Sequence, residues 1–299
     1  MTASSRPAWQ ANSESKTCEK CKRPFTLVVR RHHCRGCGLL VCDKCSEHRI
    51  VLPACYGYGP NKQRVCDTCY VTAVTLEYER GLEQGIVVVP DYEAIRGQLL
   101  ERVRSYLKIQ TGWSSEHDFN GVKVSTCSVE GSSVQCIRSK IFIKAPIKKV
   151  MEAYGNMEVW KHWNPYVNSR FIEKVDDTSK VMSAVYEFPV IDRRDSCFYT
   201  TVMDTTYVDP ASNKTGLTVA AMSVEHPLCP VEKGVVRSKM LISMSQLEPV
   251  EGGIHTNFTS YVHTDPKGLL PPFVVNAFLT RGADHLRGMR NFVETKLQS

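Results

Sequence analysis

Between Cys18 and Cys69 the chain carries four Cys-x-x-Cys pairs: Cys18/Cys21, Cys34/Cys37, Cys42/Cys45 and Cys66/Cys69, separated by 12, 4 and 20 residues. A Cys-x-x-Cys turn brings two thiolates within reach of one metal ion. Zinc takes four such ligands tetrahedrally, so eight cysteines suit two closed sites. Disulfides are the competing use of the same residues. Met1 to Lys16 is polar and lacks the apolar core of a secretory leader. A cytosolic chain keeps its thiols reduced, so zinc is the expectation. All-Cys sites leave no open position, which points to structural rather than catalytic metal. The spacing alone does not say which pairs share an ion. Cys55, Cys127, Cys136, Cys197 and Cys229 have no such spacing and read as buried free thiols.

Against zinc-held Cys34 lies a basic run, Arg30-Arg31-His32-His33-Cys34-Arg35, and Arg64 sits two residues before Cys66. Arginine forks onto phosphate bidentately, and an imidazolium donates from both nitrogens. Metal clamps the run at one end, which favours a preformed anion pocket over a solvated face. Protonated His32 and His33 bind phosphate better, so affinity should rise from about pH 8 to about pH 6. Residues 1–75 hold 12 Lys/Arg against 5 Asp/Glu, so the whole formal excess of +7 lies in this part of the chain. That suits local attraction to an anionic surface and is less than a nucleic-acid binder usually carries.

These residues resemble a FYVE zinc finger. The R-(R/K)-H-H-C-R core is complete at Arg30 to Arg35, and the R-V-C motif at Arg64, Val65 and Cys66. The W-x-x-D signature begins at Trp9 and departs at its last position, which is Asn12. The resemblance covers about residues 9–72. It implies a small cross-braced finger in which Cys18, Cys21, Cys42 and Cys45 hold one Zn2+ and Cys34, Cys37, Cys66 and Cys69 hold the other. It also implies phosphatidylinositol 3-phosphate as ligand, bound by Arg30, Arg31, His32, His33, Arg35, Arg64 and Asn12. An amide at position 12 can bond a hydroxyl but lacks the charge that repels extra phosphates. Leu27 and Val28 fall where the family inserts a loop into the bilayer. A cytoplasmic, peripheral place on early endosomal membranes and a homodimer through the finger are further expectations of this kind.

Beyond the finger the pattern changes. Residues 1–8 read as loose and 73–90 as a connecting helix and linker. Tyr92, Ile95, Leu99, Val103 and Tyr106 recur at helical spacing behind Asp91, a plausible cap. Alternating segments follow from Val122 to Val262, interrupted by a short helix over 147–154. Val236, Met240, Ile242 and Met244, and Ile254, Phe258 and Val262, form apolar faces opposite Arg237, Lys239, His255, Asn257 and His263. That pattern predicts a half-buried antiparallel sheet. Pro271 to Leu297 predicts a long terminal helix with Val275, Phe278, Leu286, Met289 and Val293 on one face. Periodicity leaves open whether the sheet encloses a filled core or a ligand tunnel. No apolar run reaches the 18 or so residues that a membrane helix needs.

Residues 91–299 resemble a START domain. The motifs are Trp160 to Tyr166 (WKHWNPY), Arg194-Asp195, Ser223 to Gly234 (SVEHPLCPVEKG) and Asp265 to Pro271 (DPKGLLP). The resemblance implies an α+β helix-grip fold, a curved antiparallel sheet around a long C-terminal helix, that binds one small lipid. Glu187, Arg193, Arg194, Leu228, Met240, Phe258 and Phe278 are the candidates for its cavity and gate, with the 224–234 loop over the mouth and Leu228 and Cys229 meeting the membrane. Phe198, Tyr199 and Thr200 stand where sterol-carrying members often place an arginine, which disfavours sterol. An Arg194–Asp195 neighbourhood that merely braces loops is the competing reading.

The function expected is therefore membrane address by the finger and binding, transfer or sensing of a lipid by the second domain. The alternatives are an adaptor whose sheet binds protein, and a RING-like ubiquitin ligase, against which all four ligand pairs being Cys argues. No paired carboxylates, nucleophile elbow or Gly-rich phosphate loop stands out, so catalysis is not expected.

Overall fold

The computed structural model describes residues 6–85, 89–160, 162–164, 167–188, 191–212, 214–231, 234–268 and 272–296; the side chains of 157–158, 167–168, 187–188, 191 and 272–281 are not described. The chain divides into two compact units, Met1–Val89 and Pro90–Ser299.

The first unit is mostly loops, because its core is built on thiols rather than on periodic apolar faces. Two short hairpins, β1 (His32–His33) with β2 (Leu40–Val41) and β3 (Arg49–Ile50) with β4 (Gln63–Arg64), carry it. Cys18, Cys34, Cys42 and Cys66 are buried with Val41, Leu52 and Val65. Helix α1 (Asp67–Glu83) begins directly after Cys66, six residues before the connecting segment expected from residue 73.

In the second unit α2 (Tyr92–Leu107) starts at Asp91, whose carboxylate accepts from the Ala94 N–H at 3.0 Å. The chain then forms β5 (His117–Asp118), β6 (Val122–Ser128) and β7 (Gln135–Ile143). Helices α3 (Ile147–Tyr154) and α4 (Met157–Trp160) carry it to the far edge of the sheet. It returns through β8 (Val167–Lys174), β9 (Ser179–Phe188), β10 (Ile191–Asp204), the single turn α5 (Thr205–Val208), β11 (Leu217–Ser223), β12 (Val236–Arg237), β13 (Lys239–Val250) and β14 (His255–Asp265). Strand β14 closes against β7, so the order is β5-β6-β7-β14-β13-β11-β10-β9-β8, antiparallel throughout, with β12 parallel to β10.

Helix α6 (Pro272–Lys296) lies on one face. Its Ala283, Leu286, Met289 and Val293 pack with Val122, Val124, Ile141, Ile143, Leu247 and Phe258 of the sheet and Val150 of α3. Gly288 lets the helix backbone approach closely: a Cβ there would lie 2.7 Å from the Trp163 carbonyl oxygen. The sequence expectation of a sheet with one wet face fails at the centre. Helix α2 covers the other face, burying Leu99, Val103 and Tyr106 against Val181, Cys197, Tyr199, Ala220, Ile242 and Met244. His263, expected in solvent, is fully buried there, while Ile254 and Val262 of the expected apolar face are 59% and 37% exposed. The α2 layer over the His263 face explains its burial, and the register shift between Met240 and Ile242 puts Met240 on the opposite face from Ile242 and Met244, with which it was expected.

Buried His263 accepts a hydrogen bond from Tyr106 Oη at Nδ1 and donates from Nε2 toward the Val134 carbonyl at 3.0 Å, with Ser132 Oγ at 2.8 Å. Both its nitrogens are thereby used in the neutral form. Burial pushes the imidazoles of His263 and His285 down, that of His285 to about 4. Their folded pKa values lie below the unfolded value of about 6.5, so the unfolded chain binds more protons on acidification. The stability they contribute is complete above about pH 6.5 and is lost as pH falls from there toward about 4. Urea titrations of the second unit should show its midpoint falling over this interval, with a shallower fall in His285→Leu; identical slopes would refute the assignment.

Candidate functional sites

The two sets of four cysteines each converge, with all sulfurs of a set within 4.8 Å of one another: Cys18, Cys21, Cys42 and Cys45, and Cys34, Cys37, Cys66 and Cys69. Four sulfurs at about 2.3 Å from a tetrahedral Zn2+ stand about 3.8 Å apart. Cys21 and Cys42 Sγ are 3.8 Å apart, and Cys37 and Cys66 Sγ 3.9 Å. The donor set therefore fits two Zn2+ ions, first pair with third and second with fourth. Backbone N–H groups support the thiolates: Cys42 donates to Cys18 Sγ at 3.3 Å and Cys66 to Cys34 Sγ at 3.1 Å. Gly36 is required by closeness, since a Cβ there would meet Cys69 Cβ at 2.9 Å.

Strand alternation sends the two histidines to opposite faces. His33 stacks on Trp9 with ring centroids 4.5 Å apart and donates from Nε2 to the Gln10 carbonyl at 2.8 Å. The Gln10 side chain in turn accepts from the Leu40 N–H and donates to Glu19. This docked segment needs Gly38, which has φ +78° and whose Cβ would overlap the Ala8 carbonyl oxygen at 2.0 Å. His32 faces Asp43, its Nε2 3.6 Å from the carboxylate. Burial first, then the Arg64 charge, lowers the His32 pKa.

Asp43 organises the basic cluster. Arg64 Nη1 donates to its carboxylate at 2.6 Å and to the Ser46 carbonyl at 3.0 Å. Arg49 lies directly opposite Arg64 across the β3–β4 pair and donates to the carbonyls of Ser46, Glu47 and His48. The Arg35 N–H donates to the Arg64 carbonyl at 2.9 Å. The charges of Arg64 and Arg49 thus act on one carboxylate, while the Arg35 guanidinium donates to the His33 carbonyl at 2.6 Å and lies 5.1 Å over the Trp9 ring, leaving an uncompensated positive field. Arg49 and Asp43 were not legible in the motif spacing; only the strand pairing brings them in. Arg30 and Arg31 are exposed at the entry to β1, Arg31 5.1 Å above the Phe25 ring, and Asn12 is exposed in the turn after Trp9. Just before them a tight turn, in which Thr26 Oγ1 accepts from the N–H groups of Val28 and Val29, projects Leu27 and Val28 outward. At 95% and 91% they are the most exposed large apolar side chains among the described residues.

In the second unit, alternate residues of the sheet face α2 and the opposite layer. On the latter side Met182, Ala184, Phe198, Ala221 and Met240 cluster with Trp160 and Tyr186. Tyr154 Oη lies 3.1 Å from Ser245 Oγ, its ring edge-on to Phe258. Burial raises the pKa of Tyr154, and that of Tyr186 to about 12, so both phenols stay protonated donors. Met240 and Phe258 thus belong to this interior, whereas the side chains of Glu187 and Phe278 lie outside the described residues.

Arg194 instead braces a loop. It is 4% exposed and donates to the carbonyls of Asp192, Pro266 and Lys267 at 2.7, 3.1 and 3.2 Å. The last two of those carbonyls belong to the D-P-K-G turn, where Lys267 and Gly268 both have positive φ. Asp195 forms a fork with Arg237 at 2.8 and 2.9 Å, and Arg237 also donates to the Cys229 and Pro230 carbonyls. His226 and Cys229 of the 224–234 loop are buried, Cys229 within the α2 layer, on the face opposite Phe198 and Met240. Cys229, expected at the membrane, is 4% exposed, and Leu228 is half-buried. Arg193 is half-buried on β10.

The FYVE zinc finger family matches residues 8–75 and the START domain family residues 99–296. Human pleckstrin homology domain-containing family F member 2 is 48% identical over 63 residues, which are 21% of this chain and 24% of that protein. The probable inactive serine/threonine-protein kinase slob1 of Dictyostelium discoideum is 47% identical over 68 residues, 23% of this chain and 12% of that protein. The chain thus spans a quarter or less of the length of these curated relatives. Among solved structures, human StAR-related lipid transfer protein 5 superposes with a TM-score of 0.60 at 22% identity, covering 69% of this chain and all of that one. Human STARD10 gives 0.56 at 21% identity, covering 71% of this chain and 83% of that one. These structural likenesses establish the fold. The START match takes in most of the chain and coincides with the sheet that grips α6; the chain therefore belongs to the START family, with a FYVE finger that holds two Zn2+ ions preceding that domain.

Proposed function

We propose that the finger docks the protein on membranes bearing phosphatidylinositol 3-phosphate, peripherally on the cytoplasmic face of early endosomes, and that the START unit binds one lipid there to transfer or sense it. The carrying observation is that the finger holds both an arginine cluster around a single carboxylate and two almost fully exposed apolar side chains just before Arg30 and Arg31. A phosphate gives the guanidiniums bidentate partners, and a bilayer gives Leu27 and Val28 a place to bury. The lipid-transfer relative named above, and the interior lined by Met182, Phe198, Met240 and two protonated tyrosines, support the second half. No helix among the described residues is long and apolar enough to cross a membrane.

Burying Leu27 and Val28 contributes about 1.5–3 kcal/mol each. Leu27→Asp with Val28→Asp should therefore weaken liposome binding on the order of 100-fold while leaving two zinc ions per chain. Unchanged sedimentation of the double variant would remove insertion from the account. For the START unit, native mass spectrometry of the purified protein after exposure to a cell lipid extract should show one lipid mass added. A lipid-free unit holding a stable protein partner would favour the adaptor role.

A further inference from the structure

The basic cluster of the finger already holds an anion of its own. One oxygen of Asp43, Oδ1, lies 2.6 Å from Arg64 Nη1 and faces His32 Nε2 at 3.6 Å. A phosphate oxygen accepting from a guanidinium stands at about 2.7–2.9 Å, so this carboxylate oxygen fills the seat of a phosphate. The donors do not need it there. Arg64 Nη1 also donates to the Ser46 carbonyl at 3.0 Å and to Ser46 Oγ at 3.2 Å, and Ser46 is fully buried. Ser46 Oγ is itself tied to the Cys42 carbonyl at 2.9 Å. Arg49 is held by three backbone carbonyls, and His32 by the pairing of β1 with β2. Asp43 is held less firmly. Its side chain is 65% exposed against 17% for Arg64, and it opens a single helical turn, Asp43–Cys45, between two zinc ligands. Rotation about its Cα–Cβ bond carries the carboxylate into water without moving the backbone, and ion pairs with so exposed a partner are weak.

We propose that Asp43 is an internal competitor for the anion pocket of the finger: its carboxylate stands in for a phosphate, and a phosphomonoester binds by displacing it from Arg64 and His32. This deepens the phosphate-binding role proposed above and rests on it. A phosphomonoester carries about −1.5 to −2 charge and three strong acceptor oxygens, so it serves these donors better than one carboxylate does. The displaced carboxylate regains water at its exposed position, so no charge is stranded in the core. Apparent affinity for every anion is reduced by the fraction of time the seat is open. Ratios between ligands stay the same, but weak anions no longer fill the pocket. The finger is then held where phosphate contacts and the Leu27–Val28 turn act together. A lipid head group and free phosphate share this chemistry, and separate arms of one experiment tell them apart.

The test uses the full-length, zinc-loaded protein with Asp43→Asn and, as a second uncharged variant, Asp43→Ser, each checked for two zinc ions per chain. Inorganic phosphate is titrated into all three while the amide signals of His32 and Arg64 are followed by NMR. Phosphatidylcholine vesicles carrying either phosphatidylinositol 3-phosphate or phosphatidylserine form the lipid arm. Both variants should bind inorganic phosphate about fivefold more tightly than the parent, with a similar gain on both kinds of vesicle. A carboxylate that merely braced Arg64 would give the opposite sign, a loss of affinity in both variants. Phosphate affinity that is unchanged, lower or absent in the variants overturns the role of Asp43, and vesicle binding by the parent would then leave the membrane reading standing. A gain on inorganic phosphate with no vesicle binding by any of the three upholds Asp43 and removes the membrane reading instead.

Discussion

Removal of both zinc ions with a chelator is expected to unfold the finger outright while Pro90–Ser299 keeps its structure. The reason is the composition of the core. Of the residues buried in the finger's cluster, four are ligand cysteines, and the rest are Val41, Leu52 and Val65. Hairpins of two residues per strand carry almost no independent stability. Structural zinc contributes about 10–16 kcal/mol per site, more than such a core can replace. Calorimetry with metal analysis should show two ions released per chain with loss of one transition. Cys34→Ser should lose the same transition. A chelated protein whose Trp9–His33 stack and amide protection persisted would show that the fold does not depend on metal.

The second large effect belongs to Arg237. The Asp195 and Arg237 side chains are 8% and 14% exposed and joined by a two-bond fork. Removing one partner from a buried pair leaves an uncompensated charge, at a cost of about 3–5 kcal/mol. Arg237→Ala also releases the Cys229 and Pro230 carbonyls, so the START unit should lose that much stability, a large share of the roughly 5–15 kcal/mol of a typical domain. The pair's interaction is the point at issue, and a double-mutant cycle reads it. Arg237→Met together with Asp195→Leu should cost less than Arg237→Met alone, because no charge is stranded. Strict additivity of the two changes would mean that the fork contributes nothing.

The finger was legible in the sequence because its ligands are local and chemically distinctive. Paired thiols at fixed spacing fix where the chain must fold, whatever the rest does. What spacing could not reveal was which charges meet. Asp43 and Arg49 enter the basic cluster only because β3 pairs with β4 and the Cys42–Cys45 turn places a carboxylate between them. In the START unit the terminal helix and the Asp91 cap were readable, since amphipathic period and cap chemistry are local. The burial of His263 was not, because alternation along one strand cannot say whether a second layer covers its polar face. Arg194 read equally as a cavity charge or a brace, and three carbonyls within reach of its guanidinium place it as a brace.

Membrane address by the finger is the central claim, and the most direct measurement is co-sedimentation of the zinc-loaded protein with liposomes across the phosphoinositide series, alongside Arg31→Ala. Selective binding to the 3-phosphate lipid, lost in the variant, is the predicted result. Equal binding to every anionic lipid, with the variant indistinguishable from the parent, would contradict the account and reduce the finger to a general basic anchor.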